Sequence, residues 1–319
     1  MDVVAWLLDS DPALRWQVLR DLVGAPADEV AATRARVAEE GWGAQLLARQ
    51  AEDGRWAGGT YRPGWAREDE PFYDAWTATH FCLQQLVDLG VDPDHPAVRR
   101  AVQRVARNVR WEHDDEPYFS GEIEACMNGV ALISAVYFGQ GGDPIVATLL
   151  ADQLPDGGWN CYAQYGARVS SFHSTICALE GLLAWRRARG EDAAVADAQR
   201  AGEEYLLERG LFRRRTDRSV PDPRMTMLSY PVRWYHDVLR GLDHFRLADR
   251  RDARLAESVE LVRGKAGPDG RWRLENAHQG PSYLDLGDEG WPNRWVTLRA
   301  LRVLRWWDGD QPTPGQAAS

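Results

Sequence analysis

Gln50-Ala-Glu-Asp53-Gly54-Arg-Trp56 and Gln153-Leu-Pro-Asp156-Gly157-Gly-Trp159 spell one phrase twice, Q-x-x-D-G-x-W. A third stretch, Ala266-Gly-Pro-Asp269-Gly270-Arg-Trp272, keeps the Asp-Gly and the Trp but loses the Gln. The copies lie about a hundred residues apart, each after a helical stretch, so the chain is built from repeated supersecondary units. Asp-Gly is turn chemistry, because Gly takes positive φ without a Cβ clash. A Gln ending one helix can hydrogen-bond a neighbouring backbone, and a Trp can pack on the next helix while its indole N–H finds an acceptor. The phrase therefore reads as a structural clamp between consecutive helix pairs.

Working outward, helical periodicity dominates and β alternation is scarce. Apolar, aromatic-rich segments cover about 11–24, 72–89, 123–138, 171–188, 231–247 and 291–307. More charged amphipathic segments alternate with them at about 27–50, 95–110, 143–153, 192–209 and 251–264. Buried helices alternating with half-exposed ones are the pattern of a closed barrel of helix hairpins. The predicted fold is all-α, an (α/α)6 toroid in a single domain over 1–307, with a disordered tail over 308–319. Asp92-Pro-Asp-His-Pro96, Gly141-Gly-Asp-Pro144 and Gly190-Glu-Asp192 carry helix-start chemistry. The long connections 211–229 and 273–290 read as a functional rim or lid.

Composition narrows the class. With 319 residues, 44% of them hydrophobic, the chain can bury a large core. No run of eighteen apolar residues occurs, and the first residues lack a basic leader, so a cytoplasmic protein without a transmembrane segment is expected, peripheral membrane contact staying open. Its four cysteines (82, 126, 161, 177) then read as free thiols or metal ligands. A net charge of −10 argues against a nucleic-acid partner. Lys265 is the only lysine, which leaves almost no place for a Schiff base. Fifteen tryptophans suit packing clamps and an aromatic-lined cavity alike.

The repeated phrase and the helix-hairpin pattern resemble the superfamily of squalene–hopene cyclases and protein prenyltransferase β-subunits, over about residues 27–307. The resemblance implies a toroid with an apolar, aromatic-lined central cavity for a hydrophobic, isoprenoid-type small molecule. The D-x-D-D acid of protonation-initiated cyclases is absent, and the length allows one toroid rather than two. Asp114-Asp115 sits in a polar loop and reads as a solvated turn.

If inner helices begin at one shared mouth, that mouth holds Asp74, Glu122, Glu124, Cys126, His173, the run Trp234-Tyr235-His236-Asp237, and Arg294, with Cys161 joining them. Cys, His and carboxylate at neighbouring helix starts are what a Zn²⁺ site with one open position needs. Glu124-Ala-Cys126 is similar to the Asp-x-Cys pair of the prenyltransferases, and Phe172-His173 to their later His element, so the resemblance implies zinc as cofactor on Cys126 and His173, with Glu124 as third ligand or Cys161 in place of that carboxylate. Asp74, Glu124, His236 and Asp237 are the candidate acids and bases, His236 being either a general base paired with Asp237 or a satisfied interior histidine. Trp76, Trp234 and Tyr235 are candidates for lining the cavity and stabilising cations, and Arg294 for holding a diphosphate. Cys82, Cys177 and His80 read as core, and His95, His113 and His278 as water-facing loop residues.

Three functions follow from these readings. The first is a cyclase-like or prenyltransferase-like enzyme. The second is a zinc enzyme of other chemistry, such as peptide modification. The third is a non-catalytic lipid-binding protein.

Overall fold

The computed structural model describes residues 2–67 and 75–309. Asp74 and the predicted tail beyond 309 lie outside the described residues. Within them the secondary structure is helical, with isolated β-bridges and no strand. No helix among them is long and apolar enough to cross a membrane.

One set of helices is buried on most sides: α2 (Pro12–Val18), α5 (Thr79–Leu89), α7 (Ala125–Tyr137), α9 (Phe172–Arg189), α11 (Val238–Leu247) and α13 (Arg294–Asp308). The rest alternate with them: α1 (Val3–Leu8), α3 (Ala27–Ala35), α4 (Gly41–Leu47), α6 (Pro96–Asn108), α8 (Asp143–Ala151), α10 (Ala193–Leu207) and α12 (Ala256–Gly264). The contrast follows the sequence. In α6 only the stripe Val98, Ala101, Val102 and Val105 is buried, at i, i+3, i+4 and i+7. Helix α7, with no charged residue, is buried from Ala125 through Leu132. Caps fall where the breaker residues predict: Pro96 opens α6, Pro144 sits in the first turn of α8, and the Asp192 carboxylate accepts the Val195 N–H at the start of α10.

Within the buried set α5 packs on α7, α7 on α9, α9 on α11, α11 on α13, and α13 on α2. Helix α2 reaches the end of α5 through Trp16 Nε1, which donates to the Leu89 carbonyl at 3.1 Å, and Gln17, which donates to the Asp88 carbonyl at 2.9 Å. The chain's two ends meet where Arg302 pairs with Asp21 and Arg305 donates to the Leu22 carbonyl at 2.7 Å. The α7–α9 crossing is the closest of these. A Cβ on Gly129 would lie 2.1 Å from the Cys177 carbonyl oxygen, so only glycine permits the approach.

The three clamps share one geometry. Trp56, Trp159 and Trp272 each donate their indole N–H, at 2.7 Å, to a carbonyl ten residues earlier (Leu46, Leu149, Val262). Each backbone N–H meets the hydroxyl of a Thr in the following buried helix: Thr79 at 3.1 Å, Thr175 at 3.0 Å and Thr297 at 3.0 Å. Gln50 and Gln153 close their own Asp-Gly turns and reach across to the carbonyls of Ala101 and Ala198, at 2.9 and 2.8 Å. Gly157 (φ +94°) presses on the Ala201 carbonyl, which bars a side chain there. The third clamp, without its Gln, lies at the seam, where Arg271 and Arg294 stack on Trp6 of α1 instead.

Two predicted helices begin later than their apolar runs. Helix α5 starts at Thr79 rather than 72, and α11 at Val238 rather than 231. The segment 231–237 is irregular, with Arg233 at φ +54°, and its aromatic residues pack across the mouth rather than along a helix.

Candidate metal centre and the mouth around it

Two thiols and a carboxylate meet where α7 and α9 begin. One ligand atom each from Glu124, Cys126 and Cys161 lie within 4.8 Å of one another. Cys126 is in the first turn of α7 and Glu124 is its N-cap residue, while Cys161 follows the second clamp Trp by two residues. That clamp, with the Gly129 crossing, is what brings Cys161 onto two helix starts at once. Its sulfur lies 2.7 Å from the Cys126 sulfur and receives the Cys126 backbone N–H at 3.3 Å and the Ser174 hydroxyl at 3.2 Å. Thiols next to helix N-termini and hydrogen-bond donors ionise easily. The Cys126 S–H hydrogen bond, with Ser174 and the amide behind it, outweighs burial and holds the Cys161 thiol below its ordinary value. The same S–H bond, burial and the neighbouring Glu124 push Cys126 well up. Glu124 is raised chiefly by burial, and its carboxylate lies 3.7 Å from the Cys126 sulfur.

Cys161 also floors a surface cleft of about 640 Å³ between α8 and the loops around 111–125 and 152–164. Glu122, at its edge, accepts the Glu124 N–H at 2.6 Å and is raised by burial, so it braces the start of α7.

His173 does not join the thiol set among the described residues. Its Nδ1 accepts the His236 backbone N–H at 2.8 Å, and Trp234 and Tyr235 meet its ring edge-on. Burial lowers it to about 4. His236 and Asp237 face separate partners, which matches the interior-histidine alternative. His236 donates Nε2–H to the Leu211 carbonyl at 2.7 Å, stacks on Phe172, and is lowered by burial to about 3. Asp237 caps α11, accepting the N–H groups of Arg240 at 2.8 Å and Ser229 at 3.1 Å. Arg294 holds α1, donating to the Trp6 carbonyl at 3.2 Å.

The aromatic candidates close on one another. Trp234 stacks on Tyr235 at 3.8 Å and Tyr235 on His278 at 4.1 Å. Trp76 is buried and donates to the carbonyls of His278 and Gln279, tying the 273–290 connection over the mouth. His278 is thus a stacked residue lowered by burial to about 3, not the water-facing one predicted. His80, Cys82 and Cys177 are core, as read.

The cavity between the buried helices mixes apolar and aromatic side chains, Val130, Tyr230 and Trp295 among them, with charged ones. It holds about 260 Å³ and is lined from all six buried helices by Gln17, Asp88, Ile133, Glu180, Asp243 and Arg299, among others.

Ser174 was not singled out from the sequence, although its place one residue after His173 at a helix start was a usable signal. No protein-family model matches the chain, and no curated protein matches it.

Proposed function

We propose that the chain is a single (α/α)6 toroid whose mouth carries a thiolate metal centre, and that the protein is a zinc-dependent enzyme acting on a polar substrate reached through the Cys161 cleft. The circuit of buried-helix contacts from α2 to α13 and back supports the toroid. The observation that carries the function is the meeting of the Cys126 and Cys161 sulfurs with the Glu124 carboxylate within 4.8 Å.

The donor set suits zinc, which favours thiolate with nitrogen or carboxylate. Tetrahedral ligation at about 2.3 Å per Zn–S bond sets two sulfurs about 3.8 Å apart. Cys126 and Cys161, now 2.7 Å apart, would separate by side-chain rotation, Cys126 giving up its proton. Zinc with three protein ligands and one open position acidifies a thiol or water bound there. Ser174 and the Cys126 amide fix the Cys161 sulfur, and Glu122 braces the turn that presents Glu124. The charged central cavity and self-packed aromatics weigh against an isoprenoid-type substrate and favour other zinc chemistry, peptide modification included.

Elemental analysis of purified protein tests the centre. About one zinc per chain is expected, lost in Cys126→Ala and Cys161→Ala, weakened in Glu124→Gln and retained in His173→Ala. No zinc in the unaltered protein, or zinc retained in both cysteine variants, overturns the proposal.

A further inference from the structure

The central cavity carries a second site, independent of the thiolate centre. Its charges are unequally occupied. Glu180 is taken by Arg240, whose Nε and Nη2 donate to the two carboxylate oxygens at 3.0 and 2.6 Å. Asp243 is taken by Arg246 at 2.7 Å. Arg299 is left with little. Its side chain is 11% exposed, its one ionic contact is Asp243 at 3.5 Å, and among the described residues it makes no hydrogen bond. A guanidinium carries five N–H donors, and one so enclosed is costly unless something accepts from it. Arg302 lines the same cavity with its side chain 9% exposed. It pairs with Asp21 and donates to Gln17 at 2.8 Å, but its Nε is buried without a partner. Arg187 stands at the rim. Against these donors only Asp88 lacks an ion pair among the described residues. Between the charges run Val87, Val130, Ile133 and Leu183, an apolar wall.

From this geometry we infer that the cavity binds a small organic anion, its oxyanion head on Arg299 and Arg302 and its short apolar body against Val130 and Ile133. Guanidinium groups recognise carboxylate and phosphate alike through paired N–H donors. A volume of about 260 Å³ lies just below the usual range for drug-sized ligands, which sets the size of the guest.

Calorimetric titration of the full chain with hexanoate and with hexyl phosphate tests this, with 1-hexanol and hexylamine as controls. Saturable one-to-one binding of at least one anion is expected, the tighter of the two naming the head group. Binding should weaken at least tenfold in Arg299→Gln, disappear when Ile133→Trp fills the cavity, and tighten in Asp88→Asn. Circular dichroism checks that each variant is folded. Absence of saturation with both anions, equal binding of hexanol or hexylamine, or unchanged binding in folded Arg299→Gln and Ile133→Trp overturns the inference. So does weaker binding in Asp88→Asn, which would place a cation there. None of these outcomes depends on zinc.

Discussion

The mouth and the central cavity are built from the same helices yet treat charge in opposite ways. At the mouth, burial holds His173, His236 and His278 neutral, and the thiol cluster sets the Cys161 sulfur against donors from two helix starts. In the cavity charge is retained: Arg240 with Glu180, Arg246 with Asp243, Arg302 with Asp21. Helix starts offer N–H groups and favour a thiolate, whereas helix ends offer carbonyls and favour guanidinium. Arg187, donating to the carbonyl of Leu247 at the end of α11, shows the second case. Position along the helix thus separates a nucleophilic end from a cation-rich one.

The sharpest way to break this division is to remove the clamp behind the mouth. Trp159→Ala deletes a fully buried indole and its hydrogen bond to the Leu149 carbonyl, two residues before Cys161 in the chain. A loss of about 3–5 kcal/mol is expected in urea unfolding. The surviving folded protein should alkylate Cys161 no faster than an ordinary thiol. Retained stability would mean that the clamp does not hold the helix pairs together.

Acid should act next, and chiefly where histidines are kept neutral. His80 and His236 are fully buried, and burial lowers each to about 3. In the unfolded chain they take up protons near 6.5, in the folded one only near 3. Their contribution is therefore complete above pH 6.5 and is lost as pH falls toward 3, by about 2 kcal/mol per histidine at pH 5. Urea melts at pH 7 and pH 5 read the loss. Imidazole resonances of either residue titrating near 6.5 in the folded protein would contradict it.

The sequence made the helices legible because their signal is local. Period and caps placed α6 to α10 within a residue or two, and the repeated phrase foretold the clamps, including the partnerless third. The mouth was legible in part. Cys126 and Cys161 were named from helix starts, but which of Glu124 and His173 stands with them depends on side-chain direction, and His173 is turned away by the His236 amide. His236 turns away from Asp237 for a related reason. A histidine beside an aspartate in sequence need not face it, and at a helix start the aspartate caps instead. The charged cavity was least legible. Asp88, Glu180, Arg240 and Arg299 come from four helices, and each alone reads as an ordinary charge on an amphipathic face.

The smaller tests separate the donors that lower the Cys161 thiol. Its three partners are unequal, the Cys126 thiol contributing most and the Ser174 hydroxyl less. Cys126→Ala should therefore move the pH profile of iodoacetamide alkylation at Cys161 upward and slow the reaction at pH 7 several-fold, read by mass spectrometry of the modified peptide. Ser174→Ala should move the profile the same way by less, because the Cys126 thiol and backbone N–H remain. The order matters more than either size. If Ser174→Ala had the greater effect, the thiolate would belong to the start of α9 rather than to the pair of cysteines. The mouth would then be a single activated thiol instead of the paired set that a metal centre requires.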